Sequence, residues 1–410
     1  MISDYLPIRR LSLLRFRSLE QAEIDFHNPL FLVGKNGAGK SNILKALRFI
    51  SDCMSQPLES VIENQGGLNV VCFRSNTSLR PASTGLRLDF QIGQDPLTRG
   101  WYAFELRALK GRDFEVTRES CRLVHPSASV HFDRGKARFS TNLPGIAPTV
   151  EPRDLLMPLL SGTPQLAPVA ALLKGLRVYS ILPAEIQKSQ QVDSGQVLRP
   201  DGGNVATMLG HLSSKEGGKG RLLDLLRTVI PEVTRVDARR WGDRISLEFR
   251  QKSTSGADAA SGDRSVTHPA SAMSDGTLRA LGILVAFLQK PRPTLLALEE
   301  PETTLHPSAL HSILDLARSF TTDTQVVVTT HSPDLLDIKW LEPENLRLVV
   351  SEGGRSVVLE VGEAARSVMR DHIMGAGELF RSYALRPEVR PAAVHEGPPP
   401  PFDLFTEVRP

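Results

Sequence analysis

Apolar and polar positions alternate over the first stretch of the chain, with Leu11, Leu13, Leu14 and Phe16 followed by Ala22, Ile24 and Phe26 across Arg17-Ser18-Leu19-Glu20. A period of two predicts two paired strands. Leu30-Phe31-Leu32-Val33 is a continuous apolar run leading into a glycine-rich turn, the pattern of a strand buried on both faces. Over 41–53 the period changes: Ile43, Leu44, Ala46, Leu47 and Ile50 recur at helical spacing without Gly or Pro. Strand-like segments at 86–92, 102–109, 114–116 and 129–132 predict a β-rich lobe.

Pro144, Pro148, Pro152, Pro158, Pro164 and Pro168 exclude one long helix, and with it a coiled-coil arm, across the middle of the chain. A short strand at 178–182 ends at Pro183, and 204–230 reads as two helices separated by Glu216-Gly217-Gly218. Residues 236–249 alternate again, and the Ser/Gly/Ala-rich run 252–263 reads as a mobile hairpin connection. The last third predicts a helix at 277–289, an apolar strand at 294–298, a helix at 307–320 and a strand at 324–329. A hairpin at 346–361 then turns on Gly353-Gly354. From Arg386 the chain is Pro-rich and expected to be ordered only in part. Pro401-Phe402-Asp403-Leu404-Phe405 there is expected to be part of a mobile tail without a partner, with a docking peptide as the other reading.

The 410 residues allow roughly two to three domains, and 40% hydrophobic with 23% charged residues excludes disorder and fibre. The longest apolar run, 281–288, falls short of the ~20 residues a membrane span needs, and the N-terminus lacks the layout of a secretory leader. The expected location is the cytoplasm, with no membrane partner. Cys53, Cys72 and Cys121 have neither metal-site nor disulfide spacing. A net charge of +3 permits contact with nucleic acid without arguing for it.

Gly34-Lys35-Asn36-Gly37-Ala38-Gly39-Lys40-Ser41 fits the phosphate-loop pattern and lies between the apolar strand and the helix start, where such a loop belongs. Its glycines let successive N–H groups turn toward phosphate oxygens. Lys40 is the candidate to bridge the β- and γ-phosphates of ATP, and Ser41 to offer its hydroxyl to Mg²⁺. Asn42 completes the binding stretch. Far downstream, the strand Leu295-Leu296-Ala297-Leu298 ends in Glu299-Glu300-Pro301-Glu302. Glu299 is the metal-side candidate and Glu300 the general-base candidate. Most of the chain separates the two motifs, the order of the ABC class. Ser274-Asp275-Gly276-Thr277 opens an apolar helix just before the acidic strand, and Thr329-Thr330-His331-Ser332-Pro333 follows it. A small-residue turn at a helix N-terminus can bind the γ-phosphate of a nucleotide held by a second subunit. His331 can reach the same phosphate or the attacking water. Taken alone, the SDG turn is a helix cap and the histidine a strand-end residue.

Together Phe16-Arg17-Ser18-Leu19, GKNGAGKSN (34–42), MSDGTLRAL (273–281), LALEEPETTLHP (296–307) and VVVTTHSPDLL (326–336) resemble the ABC-type ATPases of the RecF/SMC/OLD group, and most nearly their stand-alone relatives filed under an AAA-family label. The resemblance implies an α/β, two-lobed ATPase head with a mixed or parallel phosphate-loop sheet, an antiparallel β lobe and a helical insertion. It divides the chain into 1–125 and 251–385 as the two parts of the head, 126–250 as an inserted subdomain, and 386–410 as the tail. It further implies an ATP hydrolase that homodimerises on ATP, each signature turn completing the other copy's site. Glu299 stands where many relatives carry aspartate, as in the OLD-like branch. Glu185 or Gln187 would take the glutamine-loop role, and Arg17 would lie near the base or α-phosphate unless it is a surface arginine.

OLD-type nucleases add a TOPRIM domain. Glu352 after an apolar strand looks like its start, but no DxD follows, so a hairpin turn is expected there. The resemblance then points to a separate effector, such as a TOPRIM-like nuclease in anti-phage defence. The other reading is a RecF-like repair clamp on DNA, with Arg235, Arg239, Arg240, Arg244 and Arg250 as phosphate contacts or simply a solvated face.

Overall fold

The computed structural model describes residues 6–73, 83–93, 97–110, 113–126, 128–135, 138–213, 218–252, 265–388 and 402–406. The chain opens with β1 (Ile8–Phe16), β2 (Leu19–Asp25), β3 (Leu30–Val33) and α1 (Lys40–Cys53), followed by the short helices α2 (Leu58–Asn64) and α3 (Leu68–Val71). Then come β4 (Ser83–Gln91), β5 (Arg99–Ala108), β6 (Phe114–His125), β7 (Ala128–Arg134), β8 (Phe139–Thr141), α4 (Leu156–Leu160), α5 (Ala167–Lys174), β9 (Leu176–Tyr179), α6 (Pro183–Gln187) and β10 (Gln190–Gln191). The insertion holds α7 (Val205–Ser213), α8 (Gly218–Val229), β11 (Val233–Trp241), β12 (Arg244–Lys252) and β13 (Ser265–Pro269). The remainder comprises α9 (Asp275–Leu288), β14 (Leu295–Glu299), α10 (Pro307–Ser319), β15 (Gln325–Thr330), α11 (Pro333–Leu336), β16 (Leu346–Glu352), β17 (Arg355–Leu359), α12 (Glu363–Arg370) and α13 (Ala376–Arg381).

Three sheets result. A six-stranded sheet runs β17-β16-β3-β15-β14-β9, parallel except for the β16–β17 hairpin. A seven-stranded sheet, β2-β1-β4-β5-β6-β7-β8, is antiparallel throughout. In the insertion, β10, β11 and β13 all pair with β12. The unbroken apolar runs of the parallel strands follow from burial on both faces. Leu295 and Ala297 of β14 point into a core shared with α1 and the antiparallel sheet, whereas Leu296 and Leu298 point into a second core with α9 and α10. Helix α1 joins the two sheets, with Phe49 packed on Phe16 and Phe104 at centroid separations of 6.0 and 6.2 Å. This is the expected α/β head with an antiparallel lobe and a helical insertion. The division expected at 125/126 falls within the β6–β7 hairpin, both strands of which lie in the one antiparallel sheet.

Strand β6 is much longer than the 114–116 expected, because the polar run Thr117-Arg118-Glu119-Ser120 hides it. Glu119 is fully buried inside the lobe and accepts hydrogen bonds from Tyr102 OH (2.9 Å) and from the Leu156 and Met157 amides (2.6 and 2.8 Å) that open α4. The strand expected at 178–182 runs instead over Leu176–Tyr179. Glu352 pairs with Arg355 across Gly353-Gly354 as the expected hairpin. The three cysteines are free and buried, and burial raises the Cys72 thiol to about 12. Most of the 252–263 connection, and residues 389–401 of the tail, lie outside the described residues. The expectation of a tail without a partner is corrected at 402–406, where Leu404 is buried against Trp101 and Ala103 on the outer face of the antiparallel sheet. Among the described residues no helix is long and apolar enough to cross a membrane.

Candidate functional site

The loop between β3 and α1 is shaped by what surrounds it. A Cβ at Gly34 would run into the Val349 carbonyl of β16, and one at Gly39 into the Ser356 hydroxyl of β17. Gly37 and Gly39 adopt φ values of 77° and 105°, which glycine takes without strain. Gly39 caps α1 with no side-chain hydrogen bond, so the helix N-terminus and its dipole remain available to an anion. Ala38 and Lys40 are buried. Lys40 Nζ donates to the carbonyls of Gly34 (2.9 Å) and Lys35 (3.1 Å), which holds the ammonium inside the curve of the loop. Asn42 donates to Ser18 Oγ at 2.7 Å, and Ser18 Oγ lies 2.7 Å from Ser356 Oγ. These bonds lace the β1–β2 turn, α1 and β17 around the loop.

Strand β14 delivers the acidic residues to the same place. Glu299 ends the strand in register with Thr329 of β15. Glu300 leaves it with φ 43°, an unusual conformation for a residue with a side chain. Its amide donates to Thr329 O and Oγ1 (3.2 and 3.1 Å), and its carbonyl accepts from Arg279 Nη1 at 3.2 Å. Glu300 Oε1 lies 3.5 Å from Lys40 Nζ and 3.2 Å from His331 Nδ1. Lys40, Glu300 and His331, from three distant parts of the chain, therefore meet around one carboxylate.

Glu302, which sequence reasoning left without a role, organises the loop after β15. Its Oε1 accepts from Thr330 Oγ1 (2.7 Å) and the His331 amide (3.2 Å), and its buried Oε2 has no hydrogen-bond partner among the described residues. Only its place as the third acid of the run Glu299-Glu300-Pro301-Glu302 signals it. Ser356 and Tyr383 carried no signal at all; the Tyr383 ring, well exposed, sits 5.6 Å from Lys35 Nζ.

Ser274 caps α9, its Oγ accepting from the Thr277 amide at 3.2 Å. Gly276 packs so closely on the loop after Glu300 that a Cβ would lie 2.9 Å from Thr304 O. Asp275 accepts from Gln187 Nε2 at 3.1 Å, and Glu185 pairs with Lys188 at 2.6 Å. The two glutamine-loop candidates are thus engaged beside the signature turn and on their own helix. Among the described residues no hydrogen bond or ion pair joins Ser274–Gly276 to the loop 34–42. Arg17 is half-buried and bonded to Gln65, and desolvation lowers its pKa.

Ser41 and Glu299 offer hard oxygen donors, the type Mg²⁺ takes. Among the described residues no group of three His, Cys, Asp or Glu side chains could cage a metal.

Two family profiles match the chain. "AAA ATPase domain" covers residues 7–75, and "AAA domain, putative AbiEii toxin, Type IV TA system" covers residues 221–337. The DNA replication and repair protein RecF of Phocaeicola vulgatus is 37% identical over 68 residues, 16% of this chain and 18% of that one. RecF of Bacteroides thetaiotaomicron is 43% identical over 56 residues, 13% of this chain and 15% of that one. The matched stretch is thus under a fifth of each curated relative. In fold, the chain is similar to an Smc head bound to the C-winged helix domain of ScpA (TM-score 0.52, 16% identity, 88% of this chain and 99% of that one). It is equally similar to an Smc head with an extended coiled coil bound to the C-terminal domain of ScpA from Pyrococcus furiosus (TM-score 0.52, 14% identity, 90% of this chain and 100% of that one).

Proposed function

We propose, from the premise that the chain is an ABC-type ATPase of the RecF/SMC group, that it hydrolyses ATP between two copies of itself. The observation that carries this reading is the convergence of Lys40 and His331 on Glu300 beside a helix N-terminus that no side chain caps. The triphosphate enters the curve of the loop, and Lys40 exchanges the Gly34 and Lys35 carbonyls for phosphate oxygens. Glu300 accepts the proton of the attacking water, with His331 beside it to orient that water or the γ-phosphate. Ser41 and Glu299 would hold Mg²⁺, which would supply neutralisation of phosphate charge. Among the described residues the signature turn makes no bond to its own loop, which supports Ser274, Asp275 and Gly276 closing the site of a second copy. Steady-state ATP turnover by the purified chain, abolished by Lys40→Ala, tests the reading; equal turnover in the two proteins contradicts it.

The output passes to a separate effector, and the partner we propose is a TOPRIM-like nuclease acting in anti-phage defence. One feature favours an external effector: after Glu352, where a TOPRIM start is the other reading, residues 353–381 complete a hairpin and form two short helices.

One observation favours the DNA-binding reading as well. At the tip of the β11–β12 hairpin Trp241 is 70% exposed. Arg240 and Arg244 beside it bond to main-chain carbonyls of Gly242 and Ser189. Arg235 and Arg239, by contrast, are paired with Asp237 and Glu248. Duplex binding that weakens with salt and with Arg240→Ala/Arg244→Ala would support a clamp; indifference to both would not.

A further inference from the structure

The outer face of the antiparallel sheet has a groove floored by small residues. Gly85 and Ala103 lie on the face turned away from α1, flanked by Leu14 and Trp101 on the neighbouring positions of the same ladder. Residues 402–406 fill it. Leu404 is 3% exposed, and a Cβ at Gly85 would collide with its Cδ1. Phe402 and Phe405 pack against the same cluster, the Phe405 ring 6.5 Å from that of Trp101.

The groove is also built to hold main chain. Arg87 is buried, and Asp89 grips its Nε and Nη2. Its Nη1 donates to the carbonyls of Leu404 (2.9 Å) and Thr406 (2.6 Å), and its guanidinium stacks 4.5 Å from the Trp101 ring centroid. At the other end Arg118 lies 3.3 Å from Asp403 Oδ1 and 3.9 Å from the Phe405 ring centroid. Asp403 Oδ1 also accepts from the Phe405 amide at 3.1 Å, which folds the segment into a turn. Asp89 holds the guanidinium in place from the sheet side, so Nη1 is already aimed at the main chain of whatever segment occupies the groove.

We propose that this groove is a peptide-docking site, that its ligand is a turn-forming segment in which aspartate precedes a leucine set between two aromatic rings, and that residues 402–406 are that ligand held in cis. One buried leucine and a few charge-assisted bonds hold a five-residue segment only through its tether, which keeps it at an effective concentration of about millimolar. A partner segment of the same pattern therefore competes for the groove. The site stands apart from nucleotide chemistry, since α1 packs on the opposite face of this sheet.

The test titrates a fluorescein-labelled peptide of residues 398–410 into the full chain and into full-length Leu404→Asp, which spoils the cis ligand and leaves the groove whole. Anisotropy should show the peptide binding Leu404→Asp at least about tenfold more tightly than the parent, because the tethered competitor is gone. Adding Gly85→Val, or placing Leu404→Asp in the peptide itself, should abolish that binding. If Leu404→Asp does not fold, Phe405→Ala opens the groove at a less buried position and should give the same order of affinities. Equal affinity for parent and opened chains, no binding to either, or binding that survives Gly85→Val overturns the proposal.

Discussion

Lys40 Nζ stands 3.5 Å from Glu300 Oε1, so the phosphate-loop ammonium and the acid just past the end of β14 face one another across the site. The pairing separates two losses. Lys40→Ala removes the charge that would meet phosphate and should lose nucleotide binding. Glu300→Gln keeps the shape of the site and should bind ATP while hydrolysing it ~100- to 10,000-fold more slowly, the range for a general base. Fluorescent-nucleotide binding and phosphate release on the two variants check this. Parental hydrolysis by Glu300→Gln would remove the general-base role.

Arg279 is buried in α9 with its Nε unpartnered, and its Nη1 reaches the Glu300 carbonyl. It braces a residue held at positive φ, a conformation that costs of order 1–3 kcal/mol. Arg279→Met should lower kcat about tenfold, the equivalent of losing ~1.4 kcal/mol of charged hydrogen bonding. Nucleotide affinity should change little. A drop in affinity with kcat intact would place Arg279 in binding instead.

Burial raises the Glu119 carboxyl above its ordinary 4.5, outweighing the hydrogen bonds it accepts and the nearby Arg134. A carboxyl whose folded pKa is raised contributes most below its unfolded pKa, and that contribution declines as pH rises through the folded value. Glu119→Gln should flatten this part of the stability profile. It should also cost ~2–4 kcal/mol, since two buried amides share an acceptor with less capacity. Urea unfolding of parent and variant across pH 4 to 8 checks both expectations, and parallel profiles would contradict the first.

Metal removal tests the Ser41 and Glu299 assignment. Chelation should stop turnover and added Mg²⁺ restore it, while Glu299→Ala should need several-fold more Mg²⁺ for half-maximal rate. An unchanged Mg²⁺ requirement in Glu299→Ala would free that residue of the metal role.

The sequence made legible what repeats or is consecutive. The period-two stretches, the apolar runs at Leu30–Val33 and Leu295–Leu298, and the glycines of 34–39 each announce their structure locally, because backbone geometry and two-sided burial act on neighbours in the chain. Contacts made only by folding left no local trace. Ser356 reaches Ser18 across 338 positions, and Leu404 finds its seat because Gly85, more than 300 residues earlier, lacks a side chain. Glu119 misled for the opposite reason. A charged residue in a strand reads as exposed until Tyr102 and the start of α4 are seen to satisfy it.

Mixing two inactive chains tests the central claim most directly. Lys40→Ala lacks the phosphate-loop ammonium, and Ser274→Arg crowds the signature turn from an exposed position, clear of the Thr304 contact that a side chain at Gly276 would disturb; neither homodimer hydrolyses ATP if sites form between copies. A mixed dimer keeps one intact pair, and the mixture should recover up to about a quarter of the parental rate, since half the dimers are mixed and each has one of two sites. A mixture as inactive as its components, from folded chains that dimerise, would contradict a site shared between two copies.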